Sequence, residues 1–449
     1  MKVVKFGGSS VASATQLQQV TSILEGDADR KIVVVSAPGK RGSDDEKVTD
    51  LLIKIGESFE VGKKDEKAYE QVIDRFREIV EELGLPEETL ATIQGRIDEG
   101  IAMIERGASN GMDALKACGE DGTALMLSAY LQNRDHKASY VHPQEAGILL
   151  KDEPGGALVL EESFDKLYEL RQKEGILVIP GFFGYTKEGK LITFSRGGSD
   201  ITGSIVAAGV QADLYENFTD VDSVYCVNPA IVDNPKEMKY LTYREMRELS
   251  YAGFSVFHDE ALIPAFKKRI PVCIKNTNNP EAPGTMIVAD REDTDGDVVG
   301  IASDDGFITI YVSKYLMNRE IGFGRRLLQI LEDEGVSFEH APSGIDDMSV
   351  ILRETALPKE KEEIVIRRIK EELEVDMVEV ERDMAMIMIV GEGMNQRVGV
   401  ASKATQAFKN ANVNLEMINQ GSSEVSMMFG IHAEGIERAV RELYNVYFT

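Results

Sequence analysis

Hydrophobic and polar residues follow two alternating patterns over roughly the first 290 residues of the chain. Short apolar runs predict buried strands. These runs lie at 3–6, 32–36, 157–160, 176–180, 214–218 and 272–274. Stretches in which apolar residues recur every three or four positions predict amphipathic helices, and they lie at 49–59, 68–83, 88–106 and 112–131. Buried strands interleaved with helices indicate an α/β sheet covered on both faces, with the charged, mostly helical region 41–120 as an elaboration.

After about residue 300 the chain contains two copies of one pattern. When the chain is shifted by 77 residues, Met317-Asn318 fall on Met394-Asn395. Each copy reads strand, glycine-containing loop, helix, strand, turn, strand, helix, which predicts two small α+β units. With the same shift and no gap, further pairs coincide: Gly322 with Gly399, Gln329 with Gln406, Val336 with Val413, Glu339 with Glu416, Gly344 with Gly421 and Ser349 with Ser426.

The two copies differ in their number of strands. The first runs from a strand at 307–312 to a last strand at 375–380 and is complete. The second has strands at 384–390, 413–418 and 425–432 but is one strand short. An additional strand, 298–303, precedes the first copy. We therefore predict that 298–303 completes the sheet of the second copy and that the first copy is an insertion.

Composition and charge exclude several classes of protein. The 449 residues include 50 Lys and Arg against 77 Asp and Glu, a formal charge of −27, which argues against nucleic-acid binding because that needs a basic face. We find no apolar run long enough to span a membrane, and MKVVKFGGSS is too short and too quickly polar for a signal peptide. Three cysteines without a CxxC pair, Cys118, Cys226 and Cys273, indicate neither disulfides nor a zinc site and suit a reducing cytoplasm.

A glycine-containing loop follows the first predicted strand, in VVKFGGSS at 3–10. Gly7 and Gly8 would let the backbone approach a ligand closely, and free N–H groups where Ser9 opens a helix bind phosphate oxygens. Lys5 at the strand end would supply a positive charge for a transferring phosphoryl group. The alternative is a tight strand–helix turn with a surface lysine. The segment 184–191 matches GxxxxGK but ends in Leu191 where a P-loop needs Ser or Thr, so we expect a hairpin turn there.

A second Gly-Gly loop occurs in LITFSRGGSD at 191–200, followed by a helix of small residues. Arg196 offers a planar fork suited to a carboxylate. Asp200 could cap the helix, orient a lysine or bind a metal through water, whereas the structural alternative is an N-cap beside a surface arginine. Two such loops could face one pocket from opposite sides.

Other candidate residues lie at predicted element ends. Glu120 is predicted to open a helix, where an acid normally stabilises the helix dipole but could bind a substrate ammonium. Thr49 is either an N-cap or a substrate hydroxyl donor. Thr219 and Asp220 end a buried strand, and ligands of open α/β sheets sit beyond such carboxyl ends. Asp222 fits a turn better than a metal site, and the five histidines show no ligand spacing.

Together these motifs closely resemble the amino-acid kinase family, and within it the aspartate kinases. They are KFGGSS at 5–10, Glu120 in its CGE context, SRGGSD at 195–200 and FTDVDSVY at 218–225. The repeat, with MINQGSSEVS at 417–426, resembles tandem ACT domains. The resemblance implies a three-layer α/β/α kinase sheet followed by two ferredoxin-like (βαββαβ) ACT domains. The implied domains are 1–295 for the kinase, 304–382 for the first ACT domain, and 296–303 with 383–449 for the second.

The resemblance implies transfer of the γ-phosphoryl group of ATP, with Mg²⁺, to the β-carboxylate of L-aspartate. The product, 4-phospho-L-aspartate, starts the pathway to lysine, threonine and methionine. The implied catalytic residues are Lys5 and Asp200. The implied phosphate and nucleotide contacts are Lys5, Gly7, Gly8, Ser9, Thr219, Asp220, Tyr225, Lys275 and Asn276. The implied aspartate contacts are Thr49, Glu120, Arg196 and Ser199.

The ACT resemblance implies feedback control by an amino acid, lysine alone or with threonine, and a homodimer or homotetramer formed through the ACT domains. The second copy's loop 414–424 is expected at the dimer contact. Candidate effector residues are Met317, Gly322, Phe323, Gly324, Phe338, Glu339 and Ser343.

Two alternatives to this interpretation exist. Other family members phosphorylate glutamate, acetylglutamate, carbamate or UMP, but the ACT pair and the combination of Glu120 with Arg196 favour aspartate. A non-catalytic amino-acid sensor with a kinase-like core would have no reason to keep Lys5 and Asp200. One position departs from the family pattern: Ala230 stands where the family usually has an arginine that contacts the nucleotide.

Overall fold

The computed structural model describes residues 1–60, 62, 64–153, 156–195, 197–254, 260–291, 298–421 and 425–449, with the side chains of 60, 395 and 396 left aside. The chain divides into two compact units. The first comprises Met1–Val224, Glu237–Arg247 and Ser255–Glu292, and the second comprises Tyr225–Lys236, Glu248–Phe254 and Asp293–Thr449. None of the helices in these described ranges combines the length and the apolar character needed to cross a membrane.

Strands and helices alternate along the first unit and give way to the repeated pattern in the second. The strands are β1 (Lys2–Phe6), β2 (Arg30–Val35), β3 (Ala138–Tyr140), β4 (Leu150–Lys151), β5 (Leu158–Val159), β6 (Ile176–Pro180), β7 (Phe183–Tyr185), β8 (Leu191–Thr193), β9 (Leu214–Thr219), β10 (Val224–Tyr225), β11 (Glu237–Met238), β12 (Tyr240–Thr242), β13 (Val272–Asn276), β14 (Thr285–Val288), β15 (Gly300–Ser313), β16 (Asp347–Arg353), β17 (Met377–Val390), β18 (Met417–Gln420) and β19 (Ser426–His432). The helices are α1 (Ala14–Glu25), α2 (Val48–Glu60), α3 (Glu66–Glu82), α4 (Glu87–Glu105), α5 (Gly111–Asn133), α6 (Pro143–Ala146), α7 (Glu162–Tyr168), α8 (Gly198–Gly209), α9 (Tyr243–Tyr251), α10 (Ile263–Lys267), α11 (Phe323–Asp333), α12 (Lys359–Leu373), α13 (Val400–Asn410) and α14 (Ile436–Phe448).

The first unit is built on an eight-stranded mixed sheet in the order β12-β14-β13-β9-β1-β2-β6-β3. From β13 to β3 neighbouring strands are parallel, and β14 joins antiparallel to β13. The central strands β9, β1, β2 and β6 are mostly buried, as expected for the parallel part of a sheet that helices cover. Phe6 of β1 and Phe218 of β9 stack with their ring centroids 5.1 Å apart, both fully buried.

Two of the short predicted segments can be checked directly. The predicted buried strand at 157–160 is wrong: Leu158–Val159 pair only with β4, outside the main sheet, and the Leu158 side chain is 58% exposed. A four-residue apolar run does not distinguish a core strand from a surface ribbon. The hairpin predicted at 184–191 is confirmed, because β7 and β8 pair antiparallel.

The second unit contains a five-stranded sheet in the order β16-β15-β17-β19-β18. Its two longest strands each serve both copies of the repeat. Phe307–Ser313 of β15 pair with β16 and with the first half of β17, while the beginning of β15 pairs with Met386–Val390 of β17, which also pair with β19. The segment that the sequence places ahead of the first copy is thus the start of β15, and the register shifts between Asp304 and Phe307.

The repeat is visible in the geometry, with one difference from the ungapped match. Helices α11 and α13 start 77 residues apart, each after a glycine with positive φ, 81° at Gly322 and 98° at Gly399. Tyr311 lies opposite Ser349, whereas its counterpart Met388 lies opposite Met428. The match of Ser349 with Ser426 is therefore wrong by two residues, because the second hairpin loop is longer by two.

Candidate active site

The parallel strands β1, β2, β9 and β13 of the first unit end along one edge of its sheet. Lys5 lies near the end of β1, Ser36 directly follows β2, and Thr219 ends β9. In such sheets the crevice beyond the carboxyl ends of the strands is the usual place for a ligand. This topology places the glycine loop after β1 between the chain segments that follow its two neighbours.

Two adjoining cavities open at this edge. The first, which we call the glycine-loop cavity, has a volume of about 510 Å³ and is lined by Lys5, Gly7, Gly8 and Ser9 together with Thr219 and Asp220. The second, the helix cavity, has a volume of about 910 Å³ and is lined by residues that include Lys116, Ser199 and the chain before α8. We call the two cavities together the cleft. The residues that line both are Ser36, Lys47, Thr49, Glu120 and Asp200.

Lys5 and Asp200 form an ion pair in the cleft, with Lys5 Nζ 2.7 Å from Asp200 Oδ1. Asn217 Nδ2 donates to the same carboxylate oxygen over 2.6 Å, and Tyr215 donates its hydroxyl to the Asp200 backbone oxygen. Lys5 and Asn217 lie side by side in the register of β1 and β9, so their side chains share a face of the sheet. Lys5 is only 6% exposed, and its buried charge is compensated by this partner.

Glu120 lies in the middle of α5 rather than at a helix start, so the predicted position at a helix N-terminus is wrong. The helix can approach the end of β2 because Gly119 lacks a side chain: a Cβ there would lie 2.6 Å from Ala37 Cβ. Burial raises the pKa of the Glu120 carboxyl to about 8, although hydrogen bonds from the backbone of Ala37 and the Ser199 hydroxyl oppose the shift. Among the described residues, no group donates a hydrogen bond to its buried Oε2 atom.

The glycine loop passes directly against the loop that follows β2. Gly39 N donates to Gly8 O over 2.9 Å, and a Cβ on Gly39 would lie 2.6 Å from the Gly8 carbonyl carbon. Gly8–Val11 form a short 3-10 helix, and α1 begins later, capped by the Ser13 side chain. The helix expected to open at Ser9 is therefore this short 3-10 helix, which begins one residue earlier, at Gly8. Gly7, Gly8 and Ser9 line the glycine-loop cavity, although Gly7 N already donates to Phe218 O and Ser10 N to Gly7 O.

Known protein families match both parts of this arrangement. The model of the amino acid kinase family matches residues 1–276, more than half of the chain, and the model of the ACT domain matches residues 387–447. The chain belongs to the amino acid kinase family. Its fold is a kinase domain with a mixed α/β sheet followed by ACT domains.

Similar proteins extend this match over the full length. Aspartokinase 3 of Bacillus subtilis (strain 168) is 56% identical over 452 residues, covering 100% of this chain and 99% of the relative. The crystal structure of Clostridium acetobutylicum aspartate kinase, an allosteric enzyme, is 39% identical with a TM-score of 0.87 and full coverage of both chains. Aspartokinase III of E. coli in complex with aspartate and ADP shares the fold, at 23% identity and a TM-score of 0.81 over the whole of both chains.

Most of the predicted site residues of the kinase domain lie together in the cleft. They are Lys5, Gly7, Gly8, Ser9, Thr49, Glu120, Ser199, Asp200, Thr219 and Asp220. Arg196 lies outside the described residues. Tyr225 belongs to the second compact unit. Lys275 and Asn276 are on β13 but are not among the described lining residues, and Asn276 Nδ2 instead donates to Asp222 over 2.7 Å.

Several residues that line the cleft are not predicted from the sequence, among them Lys40, Lys47, Lys116 and Asn217. Asn217 offers a usable signal, because it is a polar residue near the carboxyl end of a central strand. Lys40 and Lys47 follow β2, and the rule that ligands gather beyond strand ends would have drawn attention to them. Lys116 lies on α5 one turn before Glu120, on the same face.

The candidate effector residues lie in the second unit in different environments. Met317 and Phe323 are in the core, Gly322 caps α11, and Gly324 packs near Met348. Phe338 is 42% exposed, and Glu339 accepts a hydrogen bond from Tyr251. Ser343 lines a cavity of about 930 Å³ on the sheet, together with the carboxylates of Asp347, Glu379, Glu381 and Glu416. Of the loop 414–424, residues 422–424 lie outside the described part.

Proposed function

We propose that this member of the amino acid kinase family is an aspartate kinase that transfers the γ-phosphoryl group of ATP to the β-carboxylate of L-aspartate. One observation carries the proposal: a single cleft holds the Lys5–Asp200 pair beside a glycine loop and, where its two cavities meet, a buried Glu120 with an unpartnered oxygen. The Lys5–Asp200 pair and the glycine loop suit a triphosphate, whereas the Glu120 carboxylate suits an ammonium. The full-length similarity to aspartate kinases supports the same reaction.

The reaction needs no general base, because a carboxylate nucleophile is already ionised at neutral pH. Catalysis therefore consists of positioning and charge stabilisation. In this proposal Gly7, Gly8 and Ser9 cradle the phosphates, and Lys5 stabilises the charge of the transferring group. Asp200 holds Lys5 in place.

Thr219 and Asp220, which line the glycine-loop cavity, would contact the nucleotide. Tyr225, Lys275 and Asn276 are proposed as further nucleotide contacts by family resemblance alone. No group of three or more possible metal ligands occurs among the described residues. Asp200 and Asp220 both line the glycine-loop cavity, and their carboxylates would suit a Mg²⁺ that arrives with ATP and is held mainly by phosphates and water. Such an ion neutralises phosphate charge during transfer.

The amino-acid substrate would occupy the helix cavity. Glu120 binds its ammonium, which supplies the missing donor for Oε2. Arg196 binds its α-carboxylate in a bidentate fork. Thr49 and Ser199 contribute hydroxyl groups. In this orientation the β-carboxylate of aspartate would face the glycine loop, where the γ-phosphoryl group of ATP would be bound.

We propose that a kinase domain at 1–295 is followed in the chain by two ACT domains that carry the regulation. The first ACT domain is 304–382, and the second combines 296–303 with 383–449. The strand exchange within β15 and β17 supports this division. We propose that lysine, alone or together with threonine, acts as the effector at Met317, Gly322, Phe323, Gly324, Phe338, Glu339 and Ser343. Effector binding at the ACT domains would then change substrate binding in the kinase domain, and the size of this effect is a coupling free energy between the two sites.

Assembly and location complete the proposal. Ile321 and Val398 occupy equivalent places in the two copies, and both side chains are fully exposed. Exposed apolar residues repeated at one place support an interface between copies of the chain, in a homodimer or homotetramer.

We place the enzyme in the cytoplasm, where its three buried thiols would stay reduced. We propose that it catalyses the first step toward lysine, threonine and methionine.

The decisive assay measures ATP- and aspartate-dependent hydroxamate formation in the presence of hydroxylamine, with and without lysine and threonine. We expect product, and less of it with the effector. Absence of product at saturating substrates would instead favour the amino-acid sensor. Activity that neither amino acid changes would refute the regulatory part alone.

Lys5→Ala is expected to lower kcat by about 10²–10³-fold, since one charge-stabilising group is lost. Lys31→Ala serves as the control, because Lys31 is exposed at the opposite end of β2. A near-normal kcat for Lys5→Ala would show that another group stabilises the phosphoryl charge.

A further inference from the structure

The two cavities of the cleft meet at a small set of residues, and one of these is a lysine. Lys5 and Lys40 line only the glycine-loop cavity, and Lys116 lines only the helix cavity. Lys47 lines both. If ATP occupies one cavity and aspartate the other, the phosphoryl group crosses at this junction.

Lys47 and Lys40 have no anionic partner among the described residues, and of these two only Lys47 lines both cavities. Lys5 is paired with Asp200, and Lys116 Nζ lies 2.9 Å from Asp113 Oδ1. Within the part of the chain that the structure describes, no carboxylate lies within ion-pair distance of Lys47. The Lys47 side chain is exposed, so its charge is available to an anion that enters the cleft.

The loop that carries Lys47 is held at both ends. Val48 N donates to Pro38 O over 3.1 Å, and the buried Val48 begins α2. Inside the loop, Arg75 donates to Gly39 O over 2.9 Å and to both oxygens of Asp45 over 2.6 Å. The backbone of Lys47 is therefore fixed next to the junction before any substrate binds, which is the arrangement that electrostatic catalysis requires.

The Asp45 carboxylate secures this loop over a wide pH range. Burial disfavours its ionisation, but hydrogen bonds from the backbone and side chain of Arg41 and the charge of Arg75 outweigh burial and lower its pKa to about 2. The loop therefore keeps its ionic contacts at any pH at which the enzyme would be assayed.

We propose that Lys47 is a catalytic residue that neutralises the two anions as they approach each other. The inference rests on the proposed function. A bond forms between a β-carboxylate oxygen of aspartate and the γ-phosphorus, and the bond from that phosphorus to the bridging oxygen of ADP breaks. Negative charge moves from the carboxylate to ADP, and no proton is transferred. Lys5 acts on the nucleotide side, and Lys47 offsets the repulsion between phosphoryl group and carboxylate.

The test compares Lys47→Met, which keeps the length of the side chain and removes its charge, with Lys47→Arg. Lys67→Met is the control, since Lys67 is exposed on α3 and outside the cleft. For Lys47→Met we expect kcat to fall by about 10²-fold. The KM values of ATP and aspartate change little, and Lys47→Arg restores part of the rate. Equal thermal midpoints for all variants would exclude a folding defect.

Two outcomes would overturn the inference while the proposed function stands: a normal kcat in Lys47→Met, or a raised KM for one substrate with normal kcat. The second would make Lys47 a binding residue for that substrate alone. If the unaltered enzyme forms no phospho-aspartate, the proposed function itself is wrong. This result differs from an active unaltered enzyme with a normal Lys47→Met variant, which would refute only the role of Lys47. Partial rescue of Lys47→Ala by methylammonium, but not by tetramethylammonium, would add independent support, because only the smaller ion donates hydrogen bonds.

Discussion

Several polar side chains of the cleft are buried, among them a lysine, a glutamate and an asparagine. Lys5, Glu120 and Asn217 are 6%, 5% and 3% exposed. Burying a charged or polar group is costly unless a partner compensates for it. Lys5 and Asn217 both find that partner in Asp200, whereas Glu120 is only partly satisfied. Because its pKa is raised to about 8, Glu120 is largely protonated at neutral pH in the free enzyme and loses this proton when a cation binds.

Aspartate binding is therefore expected to depend on pH. Because the pKa of Glu120 is raised to about 8, an incoming ammonium must displace its proton at lower pH. Aspartate affinity should rise from pH 6 to 8, and binding at pH 7 should release a proton. Calorimetric titration in two buffers of different ionisation enthalpy measures this release. Glu120→Gln should abolish it, and an equal release in that variant would contradict the assignment.

The same group predicts a trend in stability. A folded-state pKa raised from 4.5 to about 8 gives a contribution that is fully present below pH 4.5 and is lost as the pH rises through 8. The free energy of unfolding of the unaltered protein, minus that of Glu120→Gln, should therefore fall between these values. Urea denaturation at pH 5 and pH 8 measures it, and a difference that grows with pH would refute the shift.

Asn217 is expected to position Asp200. Asn217→Leu keeps a similar shape but removes the donor to Asp200 Oδ1 and should cost about 1–3 kcal/mol in the free energy of unfolding. It should also lower kcat more than it raises either KM, because Lys5 loses a fixed partner. Denaturant unfolding and steady-state kinetics measure both effects. Reduced stability with normal kcat would leave Asn217 a purely structural residue.

At the scale of elements, the cleft depends on close approaches between backbones. Gly119 lets α5 approach the end of β2, and Gly39 lets one loop cross the glycine loop. Periodicity located the strands and helices within a few residues, since burial on one face imposes a local pattern. The helix predicted at 112–131 already contains Glu120 in its interior, so periodicity was the better guide there than the separate interpretation of Glu120 as a helix start.

Gly39→Ala tests the loop crossing. The added Cβ would lie 2.6–2.9 Å from backbone atoms of Gly8 and Ser9, so the two loops must separate. We expect a raised KM for ATP together with a lower kcat, because the phosphate-binding backbone moves. Gly42→Ala in the same loop is the matched control, since a Cβ there meets nothing within 4 Å. Equal kinetics of the two variants would show that the crossing does not shape the site.

At the scale of the whole molecule, strand exchange ties the ends of the regulatory segment together. Gly300–Asp304 pair with Met386–Val390, more than eighty residues later. A fragment 298–449 is expected to unfold cooperatively, whereas 306–449 should aggregate, because it exposes the edge of β17. Size-exclusion chromatography and circular dichroism compare the two fragments. If both fold equally well, the first strand is dispensable and the proposed domain division is wrong.

The α/β character of the first unit and the repeat in the second follow from the sequence alone. These are local properties, because periodicity and short motifs reflect neighbouring residues. Only the tertiary structure decided that Asn217 shares an oxygen with Lys5, that Glu120 keeps one buried oxygen unpartnered, and that Lys47 stands where two cavities meet. Burial and choice of partner depend on residues far apart in the chain, and no local pattern specifies them.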